Sequence, residues 1–129
     1  MIVFAISCKK DVEDQQFEIG EIVEFQFGSP RVDSASSLRI TFNELLEDSR
    51  CPIDANCIWS GVGIIGINVT QGTSISEITL STIDFEEHSP EVIKAGIRYK
   101  LVDLTPYPKL NSNNEAIDYK ASVLIQKVD

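Results

Sequence analysis

From Phe17 onward, apolar and polar residues alternate with a period of two, and turn-forming residues break the alternation repeatedly. A period of two puts every second side chain on the same face of an extended chain, so this pattern permits strands and disfavours helices. Val23, Phe25 and Phe27 alternate with Glu24 and Gln26 until Gly28-Ser29-Pro30 ends the run. Leu38, Ile40 and Phe42 alternate with Arg39 and Thr41. Residues 57–70 form a long apolar segment with Ile65, Ile67 and Val69 on one face, and Gln71-Gly72 reads as a hairpin turn into Ser74–Ser81. Ile97, Tyr99 and Leu101 alternate with Arg98 and Lys100; Tyr119, Ala121, Val123 and Ile125 alternate with Lys120, Ser122 and Gln126. Asn111-Ser112-Asn113-Asn114 is a loop by composition. The fold expected is all-β, a single antiparallel β-sandwich of about six or seven strands, with an immunoglobulin-like arrangement as one form. A small β-barrel is the alternative. Two helical turns are also expected. One starts at Ser89-Pro90-Glu91, with an N-cap, a proline at the first helical position and Gly96 to end it; the other spans Asn43–Asp48.

The chain has 129 residues, which suits one domain with a real core. Its net charge is −9. An acidic surface disfavours nucleic acid, which rewards clustered Lys and Arg, and it disfavours polybasic attachment to anionic lipid. No apolar run approaches the ~18 residues that a spanning helix needs.

The first eleven residues are Met1-Ile2-Val3-Phe4-Ala5-Ile6-Ser7-Cys8-Lys9-Lys10-Asp11. An apolar run ends in a small residue, then a cysteine, then charge. This order resembles the end of a bacterial lipoprotein signal, with Ala5-Ile6-Ser7-Cys8 as its lipobox. The resemblance implies cleavage before Cys8 and lipidation of its thiol, with several acyl chains giving stable anchoring. The apolar run is shorter than an h-region of about 7–15 residues and no basic n-region precedes it, so the expected signal begins upstream of Met1. Residues 1–7 are then a signal remnant, residues 8–17 a polar tether too hydrophilic to order itself, and residues 18–129 the folded domain.

With Cys8 lipidated, Cys51 and Cys57 remain, in a compartment that permits disulfides. The alternative is a metal pair, but one histidine and no further cysteine cannot complete a tetrahedral site. Closing so small a ring is worth about 2–2.5 kcal/mol by chain entropy. The surrounding segment reads Asp48-Ser49-Arg50-Cys51-Pro52 and then Cys57-Ile58-Trp59-Ser60-Gly61. This D-S-R-C-P…C-x-W-x-G pattern is similar to one found in small exported bacterial domains of no settled activity, and it implies an exported β-rich domain with a stapled loop. Arg50 is placed to bridge to Asp48 and to carbonyls of the loop. Trp59 is expected over the core, with its indole N–H seeking a partner. A pre-ordered loop also loses little entropy on binding, so Arg50, Asp54 and Trp59 are the candidate interaction residues.

Other motifs point to chemistry more weakly. Glu44, Glu47, Asp48 and Asp54 lie near the loop, and calcium takes about six to eight oxygens; their spacing is not that of an EF-hand. Gly61-Val62-Gly63-Ile64-Ile65-Gly66 satisfies G-x-G-x-x-G by letter, but a dinucleotide site needs a helix to open there, and Ile67-Asn68-Val69-Thr70 favours a strand. The glycines therefore read as bulge or close-packing positions. The single histidine, His88, sits beside Glu86 and Glu87 and reads as a surface residue. No G-x-S-x-G nucleophile elbow is present. Asn68-Val69-Thr70 matches a glycosylation sequon inside a strand, where it carries no function. Tyr107, between Pro106 and Pro108, marks a strand end.

These readings converge on a lipid-anchored envelope protein, most naturally at the outer membrane, with a non-enzymatic binding or assembly role. Its expected partners are the membrane, through the lipid only, and an envelope protein or glycan, with no nucleic acid. No catalytic residue, cofactor or metal is assigned. The rivals are a calcium- or glycan-binding module and an envelope hydrolase built on His88 or two convergent acids.

Overall fold

The computed structural model describes residues 15–33, 35–52, 55–58, 61–106 and 118–128. They form nine strands: β1 Gln15–Phe17, β2 Ile22–Gln26, β3 Pro30–Asp33, β4 Leu38–Asp48, β5 Gly63–Gln71, β6 Ser74–Ser81, β7 Glu91–Lys94, β8 Ile97–Thr105 and β9 Lys120–Lys127. A five-stranded sheet runs in the order β1-β3-β4-β5-β6 and faces a four-stranded sheet in the order β2-β9-β8-β7. Every pairing is antiparallel except β1 with β3. This is a β-sandwich.

Apart from β1 and β2, each sheet is a run of neighbours in sequence, β3 to β6 and β7 to β9, with long connections only between β4 and β5 and between β8 and β9. An immunoglobulin sandwich instead trades strands between its sheets in a Greek key, so that form of the expectation is corrected. The barrel is excluded by an open seam. Between β6 and β7 one backbone bond crosses, from Ser81 N–H to the Ser89 carbonyl (3.1 Å), and the edges otherwise part. The opposite corner is laced by the β2–β3 turn, where Phe27 N–H donates to the Tyr119 carbonyl at 2.9 Å and Gly28 N–H to the Phe42 carbonyl at 2.7 Å. Gly28 makes that turn at φ 86°, a conformation that costs glycine little.

Neither predicted helical turn forms. Glu91–Lys94 is β7, and Asn43–Asp48 is the end of β4. Four residues beside β8, three of them exposed and Val92 half-buried on the core, gain more from ladder bonds than a one-turn helix gains from a cap. Among the described residues, strand pairing includes Gln15–Phe17, inside the stretch that the sequence gives to the tether, and Phe17 is buried against Phe25.

The core lies between the sheets. Val23 and Phe25 of β2, Leu38, Ile40 and Phe42 of β4, Ile65, Ile67 and Val69 of β5, Ile78 and Leu80 of β6, Ile97, Tyr99, Leu101 and Leu104 of β8, and Ala121, Val123 and Ile125 of β9 all point inward. Two bulges shape the far half of β4. The register shifts between Phe42 and Glu44, and again between Leu45 and Glu47, so Asn43 and Leu46 are extra residues. Strict alternation would aim Leu46 at the core and Leu45 at solvent. The bulges reverse this: Leu45 packs on the core and Leu46 is 47% exposed. After the second shift, Asp48 sits opposite Gly63 on the inward side. A third bulge, between Leu101 and Asp103, turns Leu104 inward in the facing strand. Two bulged strands thus bring Asp48 and Leu104 to the same end of the sandwich.

This geometry predicts that Leu45→Ala costs about 1–3 kcal/mol, whereas Leu46→Ala changes stability by less than about 0.5 kcal/mol. Urea denaturation of the two variants checks it, and the reverse ranking would mean that β4 runs without its bulges.

Candidate functional site

The loop from Arg50 to Gly61 joins β4 to β5, which are antiparallel neighbours, so it is a long hairpin loop. Its base is closed by Ser49 and Val62. Ser49 N–H donates to the Val62 carbonyl at 2.8 Å, and Val62 N–H donates to the Ser49 hydroxyl oxygen at 3.1 Å. Gly61 lies so close to this base that a Cβ there would fall 1.6 Å from the Ser49 carbonyl oxygen and 2.7 Å from the Arg50 Cα. Only glycine fits, which gives the last residue of the C-x-W-x-G pattern a steric reason.

Cys51 and Cys57 form a disulfide, with Cα atoms 5.9 Å apart. Inside the ring, Ala55 N–H donates to the Pro52 carbonyl at 3.1 Å. Immediately after it, Ile58 is 97% exposed. Asp54 and Trp59, the other candidate residues of this loop, lie outside the described residues, as do Cys8 and Tyr107.

Arg50 is held differently from the sequence expectation. Its side chain is 7% exposed and reaches away from the loop. The guanidinium takes Asp48 as a fork: Nε donates to Oδ1 at 2.7 Å and Nη2 to Oδ2 at 3.0 Å. The predicted ion pair is therefore present. The carbonyls that Arg50 reaches belong to the other sheet, since Nη1 donates to the Leu104 carbonyl at 2.5 Å and Nη2 to the Pro106 carbonyl at 2.8 Å. Tyr119, just before β9, donates its hydroxyl to Asp48 Oδ2 at 2.8 Å. One ion pair thus ties the end of β4 to the end of β8 and the start of β9. Room for it comes from Gly63, where a Cβ would stand 2.9 Å from Leu104 Cδ2 and 3.4 Å from Arg50 Nε. A cleft of about 340 Å³ opens beside Arg50, bordered by Cys51, Gly61, Thr82 and Asp103.

The electrostatics follow from this packing. Burial alone would push the Asp48 carboxyl up; the hydrogen bonds from Arg50 and Tyr119, with the charge of Arg50, outweigh it and hold Asp48 below its ordinary value. Burial, and then the neighbouring Asp48, push the Tyr119 phenol up to about 12, so it stays a neutral donor.

The remaining candidates do not converge here. Glu47 accepts a bond from the Ser49 hydroxyl at 3.0 Å. Glu44 lies against Gly66 on the outer face of β5. Among the described residues, no three His, Cys, Asp or Glu side chains gather as metal ligands would. The three glycines of the G-x-G-x-x-G stretch lead into and occupy strand β5, and no helix opens there. His88 closes a tight turn with Phe85, and its Nδ1 lies 3.2 Å from the Thr79 hydroxyl, away from the loop. Sequence reasoning missed Tyr119 and the carbonyls of Leu104 and Pro106. The carbonyls carry no signal in the sequence; Tyr119 could have been suspected as a polar-tipped aromatic at the start of a buried strand.

The chain matches no protein-family model, no curated protein and no solved structure.

Asp48 has a lower pKa folded than unfolded, so its contribution to stability is present above its unfolded value, near 3.8, and is lost as pH falls through the folded value. Asp48→Asn should therefore be less stable than the parent at pH 7 and should show a flatter loss of stability below about pH 4. Thermal melts of both proteins across pH 2–7 check this, and parallel curves would show that Asp48 carries no folding-linked proton.

Proposed function

We propose that this is a lipid-anchored envelope protein with a non-enzymatic binding or assembly role, and that it presents the loop of residues 50–61 to a protein partner. The observation that carries the reading is the contrast between that loop's base and its tip. A disulfide, a glycine packed on backbone and a buried arginine fix the base, while Ile58 stands 97% exposed. An apolar side chain on a pre-ordered support gains its burial on binding at little conformational cost.

The anchor is supported by the order of residues 5–11, and export is supported by a disulfide, which persists in oxidising compartments.

The test uses the full chain expressed in a bacterial envelope with a photo-crosslinking residue at Ile58 or, on the distant hairpin, at Thr73. Wild type should partition into detergent and Cys8→Ser into the aqueous phase. Position 58 should yield a discrete adduct that position 73 does not, and Ile58→Glu should compete for none of it. Aqueous wild type would remove the anchor from the reading; equal adducts from both positions would remove the loop.

A further inference from the structure

Strand β6 is the longest edge among the described strands, eight residues against three, five and four for the other edges β1, β2 and β7. Exposed edges are normally blunted by lysine, proline or a bulge. β6, Ser74-Ile75-Ser76-Glu77-Ile78-Thr79-Leu80-Ser81, has no lysine or proline, and its register with β5 is unbroken.

The direction of its backbone groups can be assigned. Thr82 N–H bonds inward to the Gly63 carbonyl, and Ser81 N–H bonds outward to Ser89. Alternation then turns the N–H and C=O of Ser76 and Ile78 toward β5, and those of Ile75, Glu77 and Thr79 toward the open seam. None of these three has a backbone partner across the seam among the described residues. Ile75 is 74% exposed on the outer face, and the exposed Glu77 beside it has no cation partner among the described residues. On the inner side, a groove of about 270 Å³ runs between the edge and the β7–β8 turn, with Ser76, Ile78 and Val69 of one sheet on one wall and Lys94, Ala95 and Tyr99 on the other.

We propose that the Ile75–Thr79 edge is a docking strand that takes an extended, basic segment of a partner protein by strand addition. Main-chain bonds to Ile75, Glu77 and Thr79 would hold it. Side chains opposite Ser76 and Ile78 would enter the groove, whose walls call for small apolar residues. The side chain opposite Glu77 would be a lysine or arginine, matching both that carboxylate and a chain of net charge −9. A second copy is the poorer occupant, because it would bring two chains of −9 together and, in the register centred on Glu77, set Glu77 against Glu77. This surface is separate from the stapled loop, and the proposal stands or falls apart from it.

The experiment is NMR amide exchange on the full chain, with the capped peptide Thr-Lys-Val-Lys-Val-Lys-Thr as probe and its glutamate counterpart as control. In the free protein, Ile75, Glu77 and Thr79 should exchange fast, and Ser76 and Ile78 slowly. The lysine peptide should slow the first three by at least about tenfold, and the glutamate peptide should not. Glu77→Lys should weaken binding about fivefold. Glu77→Pro should abolish binding while leaving the inward ladder intact, because it removes only an outward donor. Should that variant fold poorly, a lysine peptide N-methylated at all three lysines, whose N–H groups face Ile75, Glu77 and Thr79 in an antiparallel addition, must fail to bind wild type. Equal effects of the two peptides, no effect of either, or protection that rises with protein concentration alone (a second copy on the edge) would each overturn the proposal.

Discussion

The Asp48–Arg50 pair is the interaction on which this end of the molecule depends. Each sheet is held together by its own ladders, but ladders do not join one sheet to the other; apolar burial does that, and it has no direction. Arg50 supplies direction. Its fork fixes the carboxylate of β4 while its other donors hold two carbonyls at the end of β8, and Tyr119 closes the ring from β9. A buried guanidinium is costly unless its donors find acceptors of fixed geometry, and here a carboxylate and two carbonyls supply them. The disulfide begins at the next residue, so the stapled loop grows from a rigid point.

Backbone geometry makes the pair possible. Two bulges invert the faces of β4 locally, restore them, and shift its register, so that the inward Asp48 stands opposite Gly63, which leaves space for the guanidinium. Local departures from regular strand structure therefore build the feature that most constrains the loop. Gly61 and Gly63 serve it from the other side, one by letting backbone touch backbone and the other by yielding side-chain volume.

The sequence made much of this legible. The long strands announce themselves through Val23/Phe25, Leu38/Ile40/Phe42, Ile65/Ile67/Val69 and Ile97/Tyr99/Leu101, because an inner face must be apolar at every second position. The Cys51–Cys57 bond and the Asp48–Arg50 pair were also readable, from spacing and from charge. The short strands β1, β3 and β7 were not, since three or four residues are too few to show a period and their pairing is decided by neighbours. The bulges were hidden for a related reason: Leu45-Leu46 offers two apolar residues for one inward place, and only the partner strand decides which takes it. Arg50's acceptors were invisible because backbone carbonyls look the same at every position.

Arg50 and Asp48 act as one unit clamping the two sheets. A double-mutant cycle tests it most directly: unfolding free energies of the parent, Asp48→Ala, Arg50→Ala and the double variant, measured with the disulfide intact. The expected interaction energy is at least about 2 kcal/mol, with the double variant little worse than either single one. An interaction energy near zero, with the two losses simply adding, would contradict it.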